Sequence, residues 1–406
     1  MGIFDVFRGQ DELDLTSGGI GKPLFLLALP IVITNLLQTA YNLADTFWLA
    51  QLNETAVAAI TFGFPMVFLL ISLGMGLSVA GSVLVAQHTG AEEEAEAEYA
   101  ASQTVSFSLV ASALLGVAGY FLIDEVLWFL GARGDVLREA TNYMEVIALG
   151  MPFMFGFFVF ISLMRGYGDT VTPMIVMFGT VVLNVAIDPL FIFGFGPIPD
   201  GLGVQGAAIA TVISRALATA VGLGILFQGK HGVEIHLSQM KPDLQFFRKM
   251  LSIGLPASVE STGRSISVNL MLVVVAIFTD TFVAAFGVGI RIFSVIFLPA
   301  IAVGQGVETM VGQNIGAGKR DRAERTAHTA AIAMFLILSA VALFVFAFTE
   351  PIVAPLSPNE EATDIAVTFL RVVAPTFGFI GMMRAYNGTL RGSGKTMLSA
   401  AVSIMM

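Results

Sequence analysis

At 406 residues, 56% hydrophobic and only 12% charged, with a mean hydropathy of +0.84, the chain has too little charge to cover a water-soluble globule. Its apolar stretches are too long for the alternation of a β-barrel, and the absence of cysteine excludes disulfides and thiolate metal sites. The net charge of −10, from 30 acidic and 20 basic residues, offers no footprint for nucleic acid.

Residues 1–22 carry Asp5, Asp11, Glu12 and Asp14 without a charged start followed by an apolar core, so they read as a soluble cytoplasmic segment rather than a cleaved signal. Eleven hydrophobic segments follow, near 23–49, 56–86, 99–123, 138–164, 173–193, 205–227, 246–278, 282–312, 327–349, 362–388 and 396–406. The pattern predicts an all-α polytopic membrane protein. Residues 23–227 form a first lobe of six helices, 228–245 a polar linker with Pro242, and 246–406 a second lobe that stops short. Between the second and third segments, Glu92, Glu93, Glu94, Glu96 and Glu98 read as a solvated loop or as adaptation to high salt. His231 and His236 in the linker read as solvated side chains.

A pattern recurs at a fixed spacing of 226 residues. Leu29-Pro30 returns as Leu255-Pro256, Ala58-Ala59 as Ala284-Ala285, and Gln87, Gly90 and Ala91 as Gln313, Gly316 and Ala317. Arg165-Gly166, Gly168 and Thr170 return as Arg391-Gly392, Gly394 and Thr396. An even number of helices per unit makes the repeats parallel, and a complete second unit implies twelve helices. Of the loop bases, 13 lie on the side of the N-terminus and 2 on the other, which predicts a cytoplasmic N-terminus in a cell membrane.

Ionisable side chains inside a bilayer are costly and usually line a route for ions or substrate. Asn35, Gln38, Asn42 and Asp45 share one face of the first helix. Thr180, Asn184 and Asp188 share one face of the fifth, where Pro189 frees a backbone carbonyl one turn back. These hard oxygen ligands suit a sodium ion, and a proton on Asp188 would serve the same network. Asp45 and Asp188 lie toward the same ends of their helices and can share one pocket. Glu260 and Arg264, one turn apart in the seventh helix, read as an internal ion pair or as a cavity element that meets a cationic substrate. The repeated Arg-Gly-x-Gly-x-Thr reads as a tight turn with an interfacial arginine; it lacks the spacing of a phosphate loop. With no nucleotide-binding domain and no cofactor motif, the energy source is an ion gradient or the substrate's own gradient. No zincin motif, nucleophile elbow or histidine cluster suggests an enzyme.

Taken together, Pro30, Asn42 to Asp45, Gln87 to Ala91, Arg165 to Thr170, Asn184 to Pro189, Gly312 to Ala317 and Arg391 to Thr396 resemble the multidrug and toxic compound extrusion (MATE) family. The resemblance covers nearly the whole chain from Pro23. It implies two six-helix lobes and export of organic cations or other amphiphilic drugs in exchange for H+ or Na+, by a protein working as a monomer. It assigns Asp45, Asn184 and Asp188 to a first-lobe cation site, which Thr211 completes. Glu260 matches a glutamate of the NorM-like branch, but Val372 to Gly388 lacks that branch's second acid. The acidic first lobe is closer to archaeal and DinF-like members, and the lysine-poor, acidic loops suit a haloarchaeal source. The nearest transport alternative is a flippase for a lipid-linked oligosaccharide.

Overall fold

The computed structural model describes residues 14–194, 201–230, 232–275, 277–357 and 359–405, and every regular element among them is helical. The first repeat comprises α1 (Gly21–Ala50), α2 (Glu54–Gly90), α3 (Glu94–Phe129), α4 (Gly134–Tyr167), α5 (Val171–Phe193) and α6 (Gly203–Gln228). The second comprises α7 (Leu244–Val275), α8 (Asp280–Gly316), α9 (Arg320–Ala347), the short α10 (Thr349–Val353), α11 (Glu360–Val373), α12 (Phe377–Gly392) and α13 (Thr396–Met405). Nine helical spans among the described residues are long and apolar enough to cross a membrane.

The spacing of 226 residues governs packing as well as sequence. Asn53 caps α2 by accepting from the Ala56 amide at 2.7 Å, and Thr279 stands at the equivalent start of α8. Gly168 (φ 115°) and Gly394 (φ 76°) make the equivalent turns after α4 and α12, where a side chain would be strained. In the first repeat α2 packs on α4, α3 on α4, and α1 on α5; in the second α8 packs on α12, α9 on α12, and α7 on α13. The repeats meet through α2 on α7 and α1 on α8, again an equivalent pair, with α2 and α8 in contact across the seam.

Bilayer lipid is as apolar as a leucine side chain, so close packing rather than water exclusion holds such helices together. The seam accordingly uses glycine. A Cβ on Gly76 would lie 2.1 Å from the Gly254 carbonyl oxygen, and one on Gly254 would lie 2.6 Å from that of Gly76. Phe157, Phe160 and Leu163 of α4 are fully buried, whereas Leu114, Phe121, Phe129 and Leu343 point outward as lipid-facing side chains would.

Two features depart from the sequence reading, and a third adds to it. Glu94 to Glu98 are not loop residues: they form the first turns of α3, where carboxylates favour the exposed amides of a helix N-terminus. The segment 362–388 is not one helix. Pro375 tightens Ala374–Thr376 into a 3₁₀ turn between α11 and α12. Residues 14–19 are fastened to the second repeat. Asn314 Nδ2 donates to the Leu15 carbonyl at 3.0 Å, and Arg322 donates to the carbonyls of Ser17 (2.6 Å) and Gly18 (2.7 Å). The Leu15 side chain is buried against Val307 and Met310.

Candidate functional site: a carboxylate pair beside a seam cavity

The end of the bundle that carries the linker 229–243 is closed between the repeats. Gln87 Nε2 donates to the Gly392 carbonyl at 2.9 Å, while Gln313 Nε2 donates to the carbonyls of Gly166 (3.2 Å) and Tyr167 (2.8 Å). Gly90 and Gly316 permit this approach: a Cβ on either would fall within 2 Å of the backbone oxygen of the opposite glutamine, 1.9 Å and 1.8 Å respectively. Bonds between α2 and α7 continue the seal at Ser72 and Gly76, which meet Thr262 and Ser258.

Nearer the other end, α1, α5 and α6 bring Asp45, Asn184, Asp188 and Thr211 into one buried cluster, none more than 5% exposed. Asn184 Nδ2 donates to Asp188 Oδ1 at 2.8 Å. The Asp45 carboxyl lies against Asp188 and the Thr211 hydroxyl. Beyond these mutual contacts, four oxygens of the cluster have no hydrogen-bond partner among the described residues: Asp45 Oδ1, Asn184 Oδ1, Asp188 Oδ2 and Thr211 Oγ1. A buried oxygen without a donor is expensive. This donor set therefore fits a small hard cation or a proton shared by the two carboxyls. Thr180, on the same face of α5, turns its hydroxyl back to the Val176 carbonyl at 2.7 Å.

The polar face of α1 is divided between this cluster and a cavity. Asn35 and Gln38 line a cavity of about 190 Å³ with Thr34, Met75, Phe158 and Met177, Asn42 is exposed, and of the four polar residues of that face Asp45 alone belongs to the cluster. One buried cation links cavity and cluster. Arg215 of α6 donates from Nη2 to Gln38 Oε1 at 2.8 Å and stacks 4.6 Å over the Tyr41 ring, and its charge bears on Asp45. Neither Tyr41 nor Arg215 was singled out as a cation-site residue from sequence, although Tyr41 lies one turn before Asp45 on α1.

A second cavity, about 120 Å³, adjoins the first along Met75, Gln305, Glu308 and Arg391. Glu260 lines it; the side chain of Arg264, paired with it in the sequence reading, lies outside the described residues. Arg391 Nη2 holds Glu260 Oε1 at 2.8 Å, Ser403 donates to the same oxygen at 2.9 Å, and Ser399 donates to Oε2 at 3.1 Å. The repeated arginines are not interfacial anchors. Arg165 is 8% exposed and stands 3.9 Å from Glu308, which is 2% exposed. Both side chains are withdrawn from water, and a charge so buried needs an opposite charge beside it. The recurrence of the arginines at the repeat spacing was the available signal.

In the linker, His236 lies 3.1 Å from Glu98 and 3.7 Å from Glu234, so each ring nitrogen already faces a carboxylate; His231 lies outside the described residues.

The family model described as MatE matches residues 30–190 and again 256–406. The chain is 27% identical over 389 residues to the probable multidrug resistance protein YoeA of Bacillus subtilis, covering 95% of this chain and 84% of that one. It is 27% identical over 400 residues to the FAD transporter of Shewanella oneidensis, covering 97% and 87%. Among solved structures it resembles the outward-facing conformation of a multidrug resistance MATE family transporter of the MOP superfamily, with a TM-score of 0.88, 26% identity and coverage of 98% and 87%. Both matches to the family model begin at a proline, Pro30 and Pro256, separated by the same interval at which the chain's own residues recur, and the chain belongs to the MatE family of transporters.

Proposed function

We propose that the chain is a secondary active antiporter. It exports small amphiphilic molecules in exchange for H+ or Na+, by alternating access between two lobes, 23–227 and 246–406, joined by the linker 228–245. The observation that carries this reading is the buried pair Asp45 and Asp188, with four unpartnered oxygens around it and Arg215 connecting it to the cavity wall. The names of the relatives, multidrug resistance proteins among them, support amphiphilic drugs as cargo. The excess of loop arginine and lysine supports a cytoplasmic N-terminus and linker. On that orientation the Gln87 and Gln313 contacts close the cytoplasmic side, and the structure corresponds to an outward state.

In this state a proton or sodium ion enters the first lobe and settles on Asp45, Asp188 and the Asn184 and Thr211 oxygens. Neutralising the pair weakens its hold on Arg215. The guanidinium then shifts against Gln38, the wall of the cavity changes, and substrate is released outward. Coupling requires only that ion and substrate differ in affinity between the two states. The acidic, lysine-poor loops further support a high-salt source and an archaeal or DinF-like branch, whereas the relatives compared above are bacterial. One observation favours a second reading, a flippase for a lipid-linked oligosaccharide: Arg165, Arg384 and Arg391 line the seam cavities, where they would suit phosphates.

The test is efflux of a fluorescent amphiphile from proteoliposomes under separate Na+ and H+ gradients, with Asp45→Asn and Asp188→Asn beside the parent. Transport driven by one gradient and lost in both variants is the expected result. Transport that ignores both gradients, or survives both substitutions, overturns the antiport reading.

A further inference from the structure

The larger seam cavity has two cationic side chains in its lining, Arg165 and Arg391, against one acid, Glu308; Glu260 lines the smaller one. Moreover, the two acids are unequal. Glu260 already accepts from Arg391, Ser399 and Ser403, so both of its oxygens are engaged and its charge is compensated by Arg391. Glu308 is 3.9 Å from Arg165, beyond hydrogen-bond length, and among the described residues the Arg165 side chain hydrogen-bonds only Ser162 Oγ, at a long 3.4 Å. The Nε atoms of both Arg165 and Arg391 are buried without a partner. These two arginines are repeat equivalents, and both line the larger cavity. The same cavity offers apolar side chains, Met75, Val79, Phe158 and Met177, beside polar ones such as Asn35 and Gln38.

We propose that the seam cavity binds amphiphiles through an anionic headgroup, a carboxylate or a phosphate, held by Arg165 and Arg391, with the apolar body against Met75, Phe158 and Met177. The planar guanidinium offers paired N–H donors that match the oxygens of such a group, and Nε is part of that fork. A cationic headgroup in the same place would face surplus positive charge in a low-dielectric setting and would find Glu260 already occupied. This rests on the reading of the cavity as the substrate site and specifies what that site accepts. It departs from the organic cations that the sequence resemblance implies. The carboxylate pair, which does not line either cavity, remains available to the coupling ion.

The test is binding, not transport, so it needs no gradient. The full chain is placed in phosphatidylcholine nanodiscs and titrated with a dansyl-labelled undecanoate, then with the same dansyl chain ending in a primary amine. The carboxylate should bind at least tenfold more tightly than the amine. Glu308→Gln should strengthen carboxylate binding, and Arg165→Gln should erase most of the preference, while Arg165→Lys retains it in part. Equal or tighter binding of the amine by the parent protein overturns the proposal whether or not any variant folds. So does a carboxylate preference that persists unchanged in a folded Arg165→Gln. A second arm adds phosphatidylglycerol to the nanodiscs: displacement of the probe identifies the anion as a lipid headgroup, and undiminished binding identifies it as a free solute. Because the assay contains no gradient, a failed preference leaves the antiport reading standing. Likewise, gradient-independent efflux leaves the preference standing.

Discussion

Gln87 and Gln313 each donate a side-chain amide to the glycine carbonyl near the end of the fourth long helix of the other repeat, Gly392 at 2.9 Å and Gly166 at 3.2 Å. One contact, made twice about a pseudo-two-fold axis, thus closes one end of the transporter. A net hydrogen bond is worth about 0.5–1.5 kcal/mol. The double variant Gln87→Ala, Gln313→Ala removes three such bonds, counting that of Gln313 to Tyr167, and should therefore shift the closed–open equilibrium by about 1.5–4.5 kcal/mol, roughly ten- to 2,000-fold. Distances between spin labels at the α2–α3 and α8–α9 turns would report this. An unaltered distance distribution would show that the pair does not hold the closed state.

Gly90 should tolerate no side chain when the repeats close, since a Cβ there would lie 1.9 Å from the Gln313 oxygen. Gly90→Val should block transport while leaving the thermal melting of the detergent-solubilised protein near that of the parent. The clash arises between the repeats and not within one. A variant that transports normally would mean that closure does not bring these backbones together.

Arg215 is 2% exposed and sits between Gln38, the Tyr41 ring and the carboxylate pair. Truncating one member of a buried charge network costs about 3–5 kcal/mol, because the remaining charge loses its partner. Arg215→Ala should lower the unfolding midpoint by an amount on that scale, and Arg215→Lys by less. If Asp45→Asn partly restores stability to Arg215→Ala, the loss is electrostatic. A double variant no more stable than Arg215→Ala alone would assign it to packing.

The N-terminal clasp should be insensitive to mild acid. The Ser17 hydroxyl, followed by the Thr16 amide, holds the Asp14 carboxyl down to about 2 from an ordinary value of 3.8. A depressed carboxylate contributes fully above its unfolded value and loses that contribution as pH falls through its folded one. Residues 14–19 should therefore keep their hydrogen-exchange protection at pH 5 and lose it near pH 2. Asp14→Asn should lose it at both. Equal protection in the variant at pH 5 would remove Asp14 from the clasp.

Much of the arrangement was legible in the residues. The return of Gln87, Gly90 and Arg165 as Gln313, Gly316 and Arg391 was visible as spacing, and the structure turns each of these positions into an equivalent place in the other repeat. Helical periodicity set Asn184 and Asp188 one turn apart, and their side chains are hydrogen-bonded at 2.8 Å. The acidic run was misread because Glu94 to Glu98 carry no apolar period, yet a helix N-terminus stabilises such residues through its free amides.

Composition and periodicity determined the solvent, the helices, the duplication and the candidate acids, because each of these is written in local hydropathy or in recurrence along the chain. Only the tertiary structure decided who partners whom. Glu260 is held by Arg391, which lies far away in sequence. Glu308, on α8 of the second repeat, faces Arg165 of the first. A charge in a low-dielectric interior pairs with whatever cation the packing delivers, and close helix packing depends on small residues and shape rather than on sequence distance.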